Sequence, residues 1–121
     1  MNSNLVRIGT ILYALVIGYF GVMHIMTASA LAGAVPGFVP ESMRTIAVYV
    51  SGAAMILAAL AFIINKFARA AGILLAALLL IFALGIHLNY YMAGNEASMG
   101  HFLKDTGLAA AALLVAGISR N

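Results

Sequence analysis

AAGILLAALLLIFALGIH, residues 70–87, carries no Asp, Glu, Lys or Arg over 18 positions. At about 1.5 Å of rise per residue an α-helix of that length reaches roughly 27 Å, close to the ~30 Å hydrocarbon core of a bilayer. The run closes on a histidine, His87, before LNYYMAG releases the apolar character. A polar ring in that place lies either at the edge of the apolar layer or inside it for a purpose.

Composition generalises the reading. Of 121 residues, 65% are hydrophobic and 7% charged, whereas soluble domains run near a quarter charged. Mean hydropathy is +1.13. Two further charge-free runs, Ile8–Met26 and Ile46–Ile64, have spanning length. A fourth, Thr106–Ser119, has only about 14 residues, so its helix must begin earlier and draw Lys104 or Asp105 below the headgroups. The expectation is an all-α integral membrane four-helix bundle, one transmembrane domain over residues 1–121. Its helices are expected near 5–27, 44–65, 69–91 and 101–119.

The first run follows Arg7 and precedes the small residues TASALAGA, as a secretory signal would. Its apolar length exceeds the usual core of about 7 to 15 residues, so it is read as a retained helix. No cysteine is present, which removes disulfides, thiolate metal sites and a dithiol relay.

A net charge of +3 would point a soluble protein toward nucleic acid. Here position matters more than sum, and no nucleic-acid partner is expected. Arg7, Lys66, Arg69 and Arg120 flank helix ends on one side; Glu41, Arg44, Glu96, Lys104, Asp105 and the three histidines fall on the other. The positive-inside rule then places both termini in the cytoplasm, most simply at a bacterial inner membrane. NKFAR, residues 65–69, is a tight basic turn that makes helices two and three antiparallel neighbours. The outer loops, 27–43 and 91–103, are expected to be longer. PGFVP in the first forbids a continuous helix and offers Phe38 and Val39 to the interface.

Helices in lipid associate through small residues. Ala14, Gly18 and Gly21 form a stripe on helix one, and Ala47, Ser51, Ala54, Ala58 and Ala61 one on helix two. Gly72, Ala76 and Ala83 lead up helix three to His87; Ala109, Ala112 and Ala116 lie below Asp105 on helix four. His87 therefore continues a helix-facing stripe.

Counting from the basic residues gives depth. His24, Tyr49, His87 and Asp105 lie about 15 to 18 residues from Arg7, Lys66, Arg69 and Arg120, roughly 22 to 27 Å above the inner boundary. They form one expected polar layer, with Arg44, Asn89, His101 and Lys104 above it as an outer mouth.

Each of these residues has a plainer reading. Tyr49, Tyr90 and Tyr91 suit an interfacial aromatic belt. His24 and His87 suit capping or interhelical hydrogen bonds, Asp105 a helix N-terminus, and His101 and Lys104 interfacial snorkelling. Met23, Met26, Met43, Met55, Met92 and Met99 are adaptable packing, with no close pair to hold copper.

Read as a site, the layer offers two imidazoles and a carboxylate at one depth, an expensive arrangement in lipid. It could bind the carbonyls of a quinone or pass protons with Asp105. Haem between two histidines ranks behind quinone, because no large vacant face is evident. The identity of any cofactor, and any metal, stays open: His24, His87 and Asp105 need water to complete a coordination shell.

GYFGVMH (18–24), PGFVP (36–40), YVSGAAMILAALAFI (49–63), NYYM (89–92) and FLKDTGLAAAALLVAG (102–117) together resemble the DoxX family of small four-helix membrane proteins, over nearly the whole chain. The resemblance implies a subunit of a thiosulfate:quinone oxidoreductase, or a partner of redox and envelope systems. His24, Pro36, Pro40, Gly52, Asn89, Lys104 and Asp105 occupy family-like positions. The resemblance also leads one to expect an acid where this chain has Met55 and a proline near His87. The missing acid removes a charge partner and His87 supplies one.

Three functions follow as expectations. The first in rank is a structural or accessory subunit of a membrane complex, redox or envelope, locked by its polar layer and partnered by other membrane subunits or by its own copies. The second is a subunit binding quinone or another lipophilic cofactor at the His/Asp layer. The third is a small-solute carrier lined by His24 and Asp105. No residue set completes a catalytic constellation.

Overall fold

The computed structural model describes residues 3–120. Those residues are helical with no strand, and four helical spans are long and apolar enough to cross a membrane. Helix α1 (Ser3–Met26) is the first span. A short α2 (Ala28–Leu31) and a single 3-10 turn (Ala32–Ala34) follow it. Helix α3 (Glu41–Ile64) is the second span. The third span, Ala68–Met92, is α4 (Ala68–Phe82), a π-turn (Ala83–His87) and α5 (Leu88–Met92) in series. Helix α6 (Ser98–Ile118) is the fourth.

Local chemistry explains the boundaries. Pro40 precedes the first turn of α3, where its missing N–H costs nothing, and Glu41 complements the positive end of the helix dipole. Asn65, left-handed at φ 57°, ends α3. Helix α6 starts at Ser98, so the fourth span reaches back past Asp105 by nearly two turns and supplies the length that Thr106–Ser119 lacks. The second far connection is consequently only residues 93–97, shorter than the loop expected at 91–103.

The bundle is two close helix pairs. In the pair α1 and α3, a Cβ on Gly21 would stand 2.8 Å from the Gly52 carbonyl, and one on Gly52 would stand 2.9 Å from the Gly21 carbonyl. In the pair α4 and α6, a Cβ on Gly72 would stand 2.7 Å from the Ala112 carbonyl. Backbones this close gain dispersion contacts and displace lipid, the main sources of association inside a bilayer.

The stripes on α1, α4 and α6 pack as their spacing implies: Ala14, Gly21, Gly72, Ala76, Ala83, Ala109, Ala112 and Ala116 are all buried. Helix α3 departs. It buries Val48, Ser51, Gly52, Met55, Ala58, Ala59 and Phe62, whereas Ala47 and Ala54 of the expected stripe are exposed. The seam between the pairs needs volume, and Met55 and Phe62 supply it better than alanine does.

At the basic end that seam is filled. Phe62 and Ile17 are fully buried, Tyr13 stacks near Phe62 at 5.9 Å between ring centroids, and the Tyr13 hydroxyl donates to the Leu108 carbonyl of α6 at 2.5 Å. Arg7 donates to the carbonyls of Phe62 (2.8 Å) and Ile63, which have no partner within α3 so near its end. These contacts set the start of α1, the end of α3 and the 65–69 turn at one end of the bundle, and the contact of Gly72 with Ala116 places the end of α6 there too. The outward surface is Leu, Ile and Val, exposed as lipid-facing side chains are.

Candidate functional site

At the far end the seam opens. A cavity of about 830 Å³ lies between the two helix pairs, bounded by α1, α3, the π-turn and α6 and overlain by the segment from Thr27 to Val39. Its size falls within the ~300–1,000 Å³ range of small-molecule sites. Leu108 and Met55 line its lower part, Phe20 and Phe82 its sides, Val35 and Phe38 its cover.

The π-turn answers the question posed by His87. The Leu88 N–H reaches back to the Ala83 carbonyl, five residues away, which inserts one extra residue and re-aims the ring beyond it. Asn89 repairs the turn, its side-chain amide donating to the Gly85 carbonyl at 2.8 Å. His87 Nε2 then meets Asp105 Oδ2 of α6 at 2.9 Å, and Lys104 Nζ stands 3.6 Å from Oδ1. Asp105 is 4% exposed, a burial that an unpaired carboxylate in lipid would make costly. His101 stacks on His87 with centroids 5.3 Å apart, and the Lys104 ammonium lies 4.7 Å above the Phe20 ring of α1. The ionic corner is thus built by the third and fourth spans and reaches the first through a cation–π contact.

His24 stands across the cavity. Glycine at 52 makes room for it, since a Cβ there would come within 2.9 Å of the His24 Cβ. Its Nδ1 lies 2.8 Å from the Phe20 carbonyl; a carbonyl only accepts, so Nδ1 carries the proton and Nε2 keeps its lone pair in the neutral ring. The ring stacks on Phe82 of α4 at 5.8 Å and 17°.

Of the expected layer, His24, His87 and Asp105 do share the cavity, as do His101 and Lys104 from the expected mouth. Tyr49 does not: it lies 46% exposed on the outer surface of α3. Val48 faces inward, and one residue further turns about 100° around a helix axis. Ser51 takes the place on α3 that depth counting assigned to Tyr49. Arg44 also lies outside the cavity, where its Nε donates to the Val39 carbonyl at 3.1 Å and ties the covering segment to α3. Asn89 serves the π-turn instead of the mouth. Sequence reasoning passed over Phe20, Ser51 and Phe82 as lining residues. Phe20 and Phe82 lie four and five residues before the histidines on their own helices, one turn down the same face.

Among the described residues no three His, Cys, Asp or Glu side chains are grouped to hold a metal ion, and no buried side-chain nitrogen or oxygen lacks a partner. Fold and site together define a four-span membrane protein with a half-open cavity between two helix pairs. No family model, curated protein or solved structure matches the chain, so its chemistry is read from its own residues.

Proposed function

We propose that this protein is a small membrane subunit that binds a lipophilic molecule with a polar head group in the cavity at the far end of its bundle. The observation that carries this reading is the cavity itself: about 830 Å³ of space walled by apolar side chains, with His24 on one side and His87, Asp105 and Lys104 on the other. A lock alone would need the polar contacts but not the space. A quinone in its reduced, hydroxyl-bearing form has the required shape, a flat polar ring on an apolar tail, and aromatic side chains at Phe20 and Phe82 suit a flat guest.

The reading agrees with the resemblance to DoxX proteins and with a role beside redox enzymes. Both termini face the cytoplasm of a bacterial inner membrane, and the cavity opens toward the opposite side. A second reading, a structural subunit whose polar corner holds the bundle, draws on the closed pairing of His87 with Asp105 and of Asp105 with Lys104. It gives the corner a task and leaves the space unused.

The test is gentle purification from native membrane, followed by an absorbance spectrum and mass spectrometry of the lipid extract. A stoichiometric lipophilic guest that is lost from His24→Ala, with the bundle still folded, is the expected result. A protein that carries no guest above the bulk lipid background and brings down larger subunits would leave the structural reading in its place.

A further inference from the structure

We propose that the cavity selects a guest whose head group donates hydrogen bonds, such as a phenol or another hydroxylated amphiphile, over one that only accepts them. This rests on the reading of the cavity as a ligand site and adds the chemistry of the ligand.

The proposal comes from where the protons of the α1 and α3 wall go. His24 gives its Nδ1 proton to the Phe20 carbonyl at 2.8 Å. Thr27 gives its hydroxyl proton to the Met23 carbonyl at 2.6 Å, and Ser51 gives its own to the Val48 carbonyl at 2.9 Å. All three side chains line the cavity. A hydroxyl or a neutral imidazole with its proton committed has only lone pairs left to offer. This wall is therefore an acceptor surface, although each of its residue types can donate in another setting.

Across the cavity, His87 Nε2 is paired with Asp105 Oδ2, which adds a carboxylate to the acceptors. The groups there that can donate are the Lys104 ammonium, His101, Asn95, Ser98 and Tyr90, whose hydroxyl is directed at the Ala34 carbonyl at 3.5 Å. The ammonium faces the carboxylate at 3.6 Å and the Phe20 ring at 4.7 Å. A dione, ether or ester head placed against the His24, Thr27 and Ser51 wall would set acceptor against acceptor and lose its water without replacement. A hydroxyl there finds partners that are already oriented.

The experiment compares a long-chain para-alkylphenol with its methyl ether, two guests that differ in one donor, by calorimetric titration of the full-length protein in nanodiscs. The phenol should bind at least about tenfold tighter, the worth of one good hydrogen bond in a dry site. In Thr27→Val/Ser51→Ala, and separately in His24→Phe, which keeps a ring against Phe82, the preference should shrink to about threefold or less through loss of phenol affinity while the ether is unchanged. Equal binding of phenol and ether to the unaltered protein, or tighter binding of the ether, overturns donor selection and leaves the cavity a ligand site. Binding of neither overturns both.

Discussion

The two halves of the seam between the helix pairs are built from similar residues and end up differently. In the basic half Ile17 and Phe62 of one pair are buried in a single cluster with Leu75, Leu79 and Ala112 of the other, the Tyr13 hydroxyl reaches the Leu108 carbonyl across the seam, and no large space is left. In the far half the side chains that cross the seam, Phe20 with Lys104 and His24 with Phe82, touch through ring faces and stand around a cavity. The difference lies in what holds each half together. Close-packed volume holds the first. In the second, Gly21 against Gly52 and the contact of His87 with Asp105 hold each helix pair from within, so the space between pairs need not be filled. A bundle can keep a cavity in lipid only where its walls are fixed independently of the cavity's contents.

The comparison can be broken most severely at Gly72. In Gly72→Ile a branched side chain would replace a contact with no room even for a Cβ, 2.7 Å from the Ala112 carbonyl. The expected loss is about 3 kcal/mol or more, read as reversible unfolding in mixed detergent micelles. Retained stability would show that the pair α4 and α6 can separate without harm.

A matched pair of truncations tests the halves directly. Phe62→Ala, at a fully buried ring, should cost about 3 kcal/mol, whereas Phe82→Ala, at a ring that already borders the cavity, should cost about 1 kcal/mol. Equal losses would mean that the far half is packed as tightly as the basic half.

Asp105→Ala comes next. It leaves the buried side of His87 without its acceptor and frees Lys104, and should cost about 1–2 kcal/mol, since polar contacts between membrane helices contribute modestly. A loss as large as that of Gly72→Ile would make the ionic corner, and not backbone approach, the main clamp on this pair.

The smallest expected effect sharpens the comparison from the other side. Ser51 donates only to its own helix, at the Val48 carbonyl, so Ser51→Ala should change stability by about 0.5 kcal/mol or less. A larger loss in the same unfolding assay would make Ser51 part of the clamp.

Much of this was legible in the residues. Four apolar runs dictate four spans, because a bilayer allows few other structures. Depth counting brought His24, His87 and Asp105 to one level, since helix rise is fixed at about 1.5 Å per residue. It misplaced Tyr49, because depth says nothing about which way a side chain faces around the axis. The small-residue stripes found the packed faces of α1, α4 and α6, where backbone approach decides. On α3 they erred at Ala47 and Ala54, where the larger neighbours Val48 and Met55 turn inward instead.

By itself, then, the sequence determined an all-helical membrane chain with four of its six Lys and Arg residues gathered toward one end and a polar layer toward the other. Those properties follow from transfer energies and helix geometry, which act residue by residue. Tertiary structure alone decided that the far seam stays open, that a π-turn turns His87 onto Asp105, and that His24, Thr27 and Ser51 spend their protons on their own helices. Each of these depends on where two backbones touch or on which acceptor lies nearest in space, and linear spacing does not record either.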